Sequence, residues 1–223
     1  MELKYTNWGA ITIPIYEELM SLVHDEVKSE DAFYQREIDI MAVLCDADRD
    51  SVGRLTIEEY TVLAQQSQFI RNMPAWDVPD KVTIGDTKYR ITTNQDTWTL
   101  AQFAEWQCLR ATPTTTTAQL LACMLIPEGY KHYADGYDVQ KVIDDITAHL
   151  PYYKAFAILN FFHSAQLLSA LGMLRYTAKK VRAQARKTTD KAEKKRLLRE
   201  AKSMRKAYIG LGATLLRKSL TTH

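Results

Sequence analysis

The sequence predicts a mainly α protein: a multi-helix domain with one small β-hairpin, followed by a long C-terminal helical hairpin. Three observations carry this. Helix-start signals stand ahead of apolar runs at helical spacing, only one pair of alternating segments flanks a tight turn, and heptad spacing dominates beyond residue 166. The expected division is a helical domain over 1–150, with its β-hairpin near 81–93, and a basic helical arm over 151–223.

At the N-terminus, Ile11-Thr12-Ile13-Pro14-Ile15 alternates like a short edge strand, a place where proline is tolerated. A helix is expected over 15–27 and a second over 31–45, where Tyr34, Ile38, Met41 and Cys45 share one face. A third opens at Thr56-Ile57-Glu58-Glu59, a capping-box pattern in which hydroxyl and carboxylate each satisfy a free backbone donor. It runs to about Gln66, and residues 73–79, bracketed by prolines, form a loop.

Strands are expected over 81–84 and 87–92, joined by Gly85-Asp86, because glycine accepts the positive φ of a two-residue hairpin turn. Thr99 to Gln102 repeats the capping-box spacing and opens a helix through Leu109, with Phe103 and Trp106 as anchors. Residues 112–117 form a linker or helix entry, and a short apolar helix over 118–126 stops at Pro127. Asp138 caps the next helix, whose buried side carries Val139, Val142, Ile143, Ile146 and Leu150.

Beyond Pro151, Leu167, Leu171, Leu174, Ala178, Val181 and Ala185 form one heptad seam, and Leu197, Ala201, Met204, Tyr208, Leu211 and Leu215 form a second. Extending the first seam would bury Lys195 and Arg199, so the registers do not join. The break falls at 187–190, where Asp190 and Glu193 have capping spacing, and a helical hairpin is expected there, with a single bent helix as the alternative.

The chain has 223 residues, 46% hydrophobic and 25% charged, enough to bury a core without disulfides or metal. Cys45, Cys108 and Cys123 lie in apolar helical patterns without metal-ligand spacing and are expected as buried free thiols. The first residues lack a basic start and an apolar run, so synthesis in the cytoplasm is expected. Residues 155–174 approach the length of a membrane span. They include Asn160, His163, Ser164, Gln166 and Ser169, which are costly in hydrocarbon, so a core or interface helix is expected and no membrane span.

The net charge of +2 conceals a dipole. Residues 175–218 hold 16 Lys/Arg against three acids, leaving 13 basic and 24 acidic residues elsewhere. Arg175, Lys179, Arg182 and Arg186 recur on one helical face, and Lys194 and Arg199 continue the basic character on the returning helix. Such a face suits a row of phosphates, an acidic protein surface or plain solvent. No aromatic residue interrupts the run between Tyr176 and Tyr208, which disfavours base stacking. The apolar counterpart for partner binding is the seam Leu197, Met204, Tyr208, Leu211 and Leu215.

Catalytic and ligand signatures are missing. Asp46, Asp48 and Asp50 alternate like a calcium loop, but Ser51 replaces the sixth-position glycine and Ile57 the twelfth-position glutamate. An interhelical turn is expected instead. His24-Asp25-Glu26 are helical neighbours that point apart, and His163 lies in an apolar helix. There is no serine elbow or phosphate loop, and Gly210-Leu211-Gly212 follows a helix and lacks a third glycine. No enzyme, metal or cofactor is expected.

Several segments, in order, resemble poorly characterised proteins from the structural gene clusters of tailed bacteriophages. They are Ile13 to Leu19, Arg36 to Leu44, Leu55 to Tyr60, Val82 to Ile91, Gln102 to Gln107 and Leu125 to Gly129. The resemblance covers most of the first 130 residues, and the strongly basic arm is less typical of it. It implies a virion structural or tail-assembly protein in multiple copies, made in the host cytoplasm and destined for the virion, whose partners are other phage structural proteins. It brings no catalytic residues. A nucleic-acid-binding module using the basic C-terminal helices is the alternative.

Overall fold

The computed structural model describes residues 1–24 and 29–220, with side chains described except at 24, 167–170 and 208–220. The chain is mainly α, with one small antiparallel sheet and a long C-terminal helical hairpin. It divides into two compact units, Met1–Leu159 and Asn160–His223.

In the first unit, α1 (Ile13–His24) starts where an edge strand was expected. Pro14 lies in its first turn, where a missing N–H costs nothing, and the strand reduces to one bridge between Thr12 and Pro151. Helix α2 (Glu30–Cys45) begins at the Ser29 hydroxyl, which accepts from Ala32 N, and ends at Asp46 with φ 51°. The amides of Asp46 and Ala47 return to the carbonyls of Val43 and Ala42, closing the helix end. Met41 and Leu44 are its buried residues, while Tyr34, expected on that face, is 56% exposed.

The aspartate run folds as α3 (Arg49–Gly53), with Asp48 capping through Ser51 N at 2.8 Å. Helix α4 (Ile57–Gln66) carries the expected capping box, with Thr56 N donating to Glu59 at 2.8 Å and Glu59 N to Thr56 Oγ1 at 3.2 Å. Leu3, Trp8, Ile11 and Leu19 pack with Met41, Leu44, Val52 and Leu63 into one core. The Trp8 indole N–H donates to the carbonyls of Phe69 and Asn72, both at 2.9 Å, so its burial leaves no orphan donor.

Strands β1 (Lys81–Ile84) and β2 (Thr87–Ile91) pair around Gly85, whose φ is +55°. A third strand, β3 (Leu125–Pro127), pairs with β2, Ile91 opposite Leu125 and Tyr89 opposite Pro127. The helix expected to run to Ile126 is therefore shorter: α6 is Thr117–Ala122, opened by a Thr116–Gln119 capping box. A two-stranded hairpin is marginal alone, and capturing residues 125–127 satisfies the second edge of β2.

Helix α5 (Leu100–Ala111) is capped by Thr99, but Gln102 does not complete the box. Its side chain turns inward to the Cys123 carbonyl and Thr92 Oγ1. Buried Gln102 and Trp106 define the inner face, so Phe103, one residue further round, is 40% exposed. Helix α7 (Val139–His149) starts at Asp138, which accepts from Gln140 N and Lys141 N, and buries Val142 and Ile146.

Helix α8 (Tyr152–Lys187) begins in the first unit, where Tyr152 N donates to Ile11 O at 2.7 Å and the Tyr152 ring stacks on Tyr16. In the second unit α8 meets a break at residues 188–190, and α9 (Lys191–Leu220) follows. Asp190 Oδ1 accepts from Ala192 N at 2.8 Å, whereas Glu193 pairs with Arg196 instead of closing a capping box. Leu171, Ala185, Leu197 and Ala201 are buried, and Leu174, Ala178, Val181 and Met204 are half-buried. Two registers broken at one turn produce this pattern.

Candidate functional site

The first unit holds few groups suited to covalent chemistry. Cys123 is fully buried, and burial pushes its thiol pKa up to about 12, which keeps it protonated and unreactive at neutral pH. Cys45 is half-buried, with its pKa also raised by burial, whereas Cys108, expected inside, is exposed. The reason is helical phase: residue 108 lies two positions past Trp106 and faces away from the core.

Tyr89 donates to Asp145 Oδ2 at 2.6 Å, and burial followed by this carboxylate raises its pKa. Tyr133 and Tyr152 are also raised, first by burial. These phenols stay neutral at ordinary pH, and of the three Tyr89 belongs to the buried core. Among the described residues no group of three His, Cys, Asp or Glu could hold a metal ion. The Asp48 carboxylate of the calcium-like run is committed to Ser51 instead. Asp25, Glu26 and the His24 side chain lie outside the described residues.

The basic arm is the main candidate surface. Arg175, Lys179, Arg182 and Arg186 on α8 are all exposed, as are Lys194 and Arg199 on α9. Lys191, Lys194, Lys195, Leu198, Arg199 and Lys202 line an open groove along α9. Leu198, 47% exposed, stands among these cations as an uncovered apolar knob. The arm's one ion pair among the described residues joins Arg196 to Glu193 at 2.8 Å, lowering the Glu193 pKa, and the arm remains strongly positive.

The expected apolar docking seam divides. Leu197 is buried and Met204 half-buried within the chain, so these side chains hold the arm and present little surface to a partner. The side chains of Tyr208, Leu211 and Leu215 lie outside the described residues. Exposed apolar groups sit elsewhere on α8, at Met173 and Tyr176, 70% and 67% exposed. By length and composition alone, α8 could cross a membrane, and 21% of its most apolar stretch is buried.

A second surface feature was not visible in the sequence. Between α1 and α2 an open hollow of about 330 Å³ is lined by apolar Ile15, Leu22 and Val43 and carries the carboxylates of Glu18, Asp39 and Asp46. Asp39 meets Arg49 at 3.0 Å and Asp46 meets Lys4, while Glu18 is exposed. Glu18 comes from α1, Asp39 from α2 and Asp46 from the turn that ends α2, and no local spacing announces them.

Neither a protein-family model, nor a curated protein, nor a solved structure matches this chain.

Proposed function

We propose that this chain is a bacteriophage virion structural or tail-assembly protein that works by contacts with other phage structural proteins in a multi-copy assembly, without catalysis. The observation that supports this most is the helical arm, whose cations and several apolar side chains are uncovered while Leu197 of its seam is buried. Such a surface is built for contact with a partner. The resemblance of the first 130 residues to tailed-phage structural-cluster proteins supplies the setting, with synthesis in the host cytoplasm and the virion as destination.

Quantitative mass spectrometry of gradient-purified particles, beside infected-cell lysate, tests this. Stoichiometric recovery with particles supports a structural role, and recovery with assembly intermediates alone supports an assembly factor. Absence from both sinks the proposal.

The row of exposed Arg175, Lys179, Arg182 and Arg186 favours a second reading, a nucleic-acid-binding module gripping phosphates. Its mark is duplex affinity that falls steeply with salt, together with a shallower salt slope when these four residues are replaced by alanine.

A further inference from the structure

We infer that copies of this chain associate head to tail, with the basic face of α9 around Leu198 seated in the acid-bearing hollow between α1 and α2 of the next copy. The inference is independent of the phage setting and rests on two complementary surfaces of one molecule.

The first surface is an apolar knob in a positive field. Leu198 projects from α9 with Lys194, Lys195, Arg199 and Lys202 around it, on a helix whose buried side, Leu197 and Ala201, is already occupied. A docking contact would bury this leucine at the centre of a charged rim.

The second surface is an apolar depression in a negative field. Ile15, Leu22 and Val43 offer room for an aliphatic side chain, and Glu18, Asp39 and Asp46 surround it. Lys4 and Arg49 pair with two of these three carboxylates, and the sequence that builds this face is acidic: residues 1–66 contain fourteen Asp/Glu against five Lys/Arg. Charge complementarity thus matches the arm, with sixteen cations and three acids over 175–218, to the α1–α2 face.

The occupant is a second copy because both halves of the pair occur on every chain and are therefore always present in equal number. A contact between two different patches is heterologous, and repetition closes a ring or extends an open chain. A nucleic acid would satisfy the cations but would leave both the Leu198 knob and the apolar hollow unused.

Sedimentation velocity on the full chain, at low salt and over about 1–100 µM, reads the association directly. Wild type should grow in average mass with concentration and revert to monomer near 0.5 M salt, where screening shortens to roughly 4 Å. The arm variant K194E/K195E/R199E and the hollow variant E18K/D39K should each raise the concentration of half-association at least about tenfold, while their equimolar mixture associates. Leu198→Asn, which leaves every charge in place on an exposed helical face, should weaken association as well.

Wild type that stays monomeric across the range overturns the inference, and does so in favour of nucleic acid if that monomer binds a short DNA duplex. Charge variants that associate like wild type overturn it too. So does a mixture of variants, each with wild-type circular dichroism, that remains monomeric.

Discussion

Gln102 is the one buried polar side chain among the described residues, 2% exposed, and replacing it tests how the small sheet is tied to α5. Its amide nitrogen donates to the fully buried Cys123 carbonyl at 2.6 Å and to Thr92 Oγ1 at 3.3 Å. Leucine has nearly the same volume but no donor, so Gln102→Leu strands the carbonyl without opening a cavity. The cost of that unmet acceptor is about 1–3 kcal/mol, reduced by the easier desolvation of leucine, and the expected net loss is about 1–2 kcal/mol.

Gln102→Glu keeps the shape but points a carboxylate at the same carbonyl, and should cost more at neutral pH. Burial raises the folded-state pKa of such a glutamate. The part of its stability that depends on the proton is present below the unfolded pKa near 4.3 and lost as pH rises through the folded value. The glutamate variant should therefore recover toward wild type near pH 4, where the protonated acid can donate as the amide does.

Urea unfolding followed by tryptophan fluorescence is the appropriate assay, since Trp8, Trp76, Trp98 and Trp106 all lie within Met1–Leu159. Trp106 on the same helix meets Trp98 edge-on at 6.0 Å, close to the perturbed site. If Gln102→Leu unfolds within about 0.5 kcal/mol of wild type, the ordinary range for neutral surface changes, the tie between Gln102 and Cys123 does not stabilise the fold.

Three further outcomes follow from the same geometry. Gly85→Ala should lower stability by about 1–2 kcal/mol in the same assay, because alanine resists φ +55° and its Cβ would lie 3.1 Å from the His149 ring. Thiol labelling of the native chain should modify exposed Cys108 first and Cys45 slowly, with Cys123 reacting only on unfolding, as mass-mapped peptides will show. Stability should fall with alkali, since the Cys123 thiol ionises from 9.0 upward in the unfolded chain but only near 12 when folded, and the raised tyrosines add to this from 10.0 upward. For each group the contribution is complete below the unfolded pKa and lost above it, so Cys123→Ala should flatten the onset seen by circular dichroism.

Elements set by near neighbours were legible in the sequence, and those set by distant contacts were not. The Thr56 box, the Asp138 cap, the Gly85 turn and the break between the two arm helices each depend on residues a few positions apart, and all have their structural counterparts. Strand β3 escaped because Leu125 and Ile126 read equally well as helix, and the free edge of β2, over thirty residues earlier, decides the matter. The Thr99 box failed for a related reason: the Cys123 carbonyl offers Gln102 a buried acceptor that outweighs an exposed cap. On the arm, the outward cations were readable from their one-face spacing. The α1–α2 hollow was not, since Glu18, Asp39 and Asp46 share a surface only once two helices pack.

The arm itself is poorly arranged for standing alone. Arg175 and Lys179, Arg182 and Arg186, Lys191 and Lys195, and Lys195 and Arg199 are like-charged at i,i+4, each pair opposing helix formation by about 0.2–0.5 kcal/mol. Against this, Ala185 and Ala201 occupy fully buried seam positions with only a methyl group each, and Glu193 neutralises a single arginine. Small seam residues permit close helix approach but bury little apolar area, so cohesion is modest while repulsion accumulates. Such a helix pair carries more like-charge repulsion than its own three acids offset, and this surplus positive charge is what the proposed contact would use.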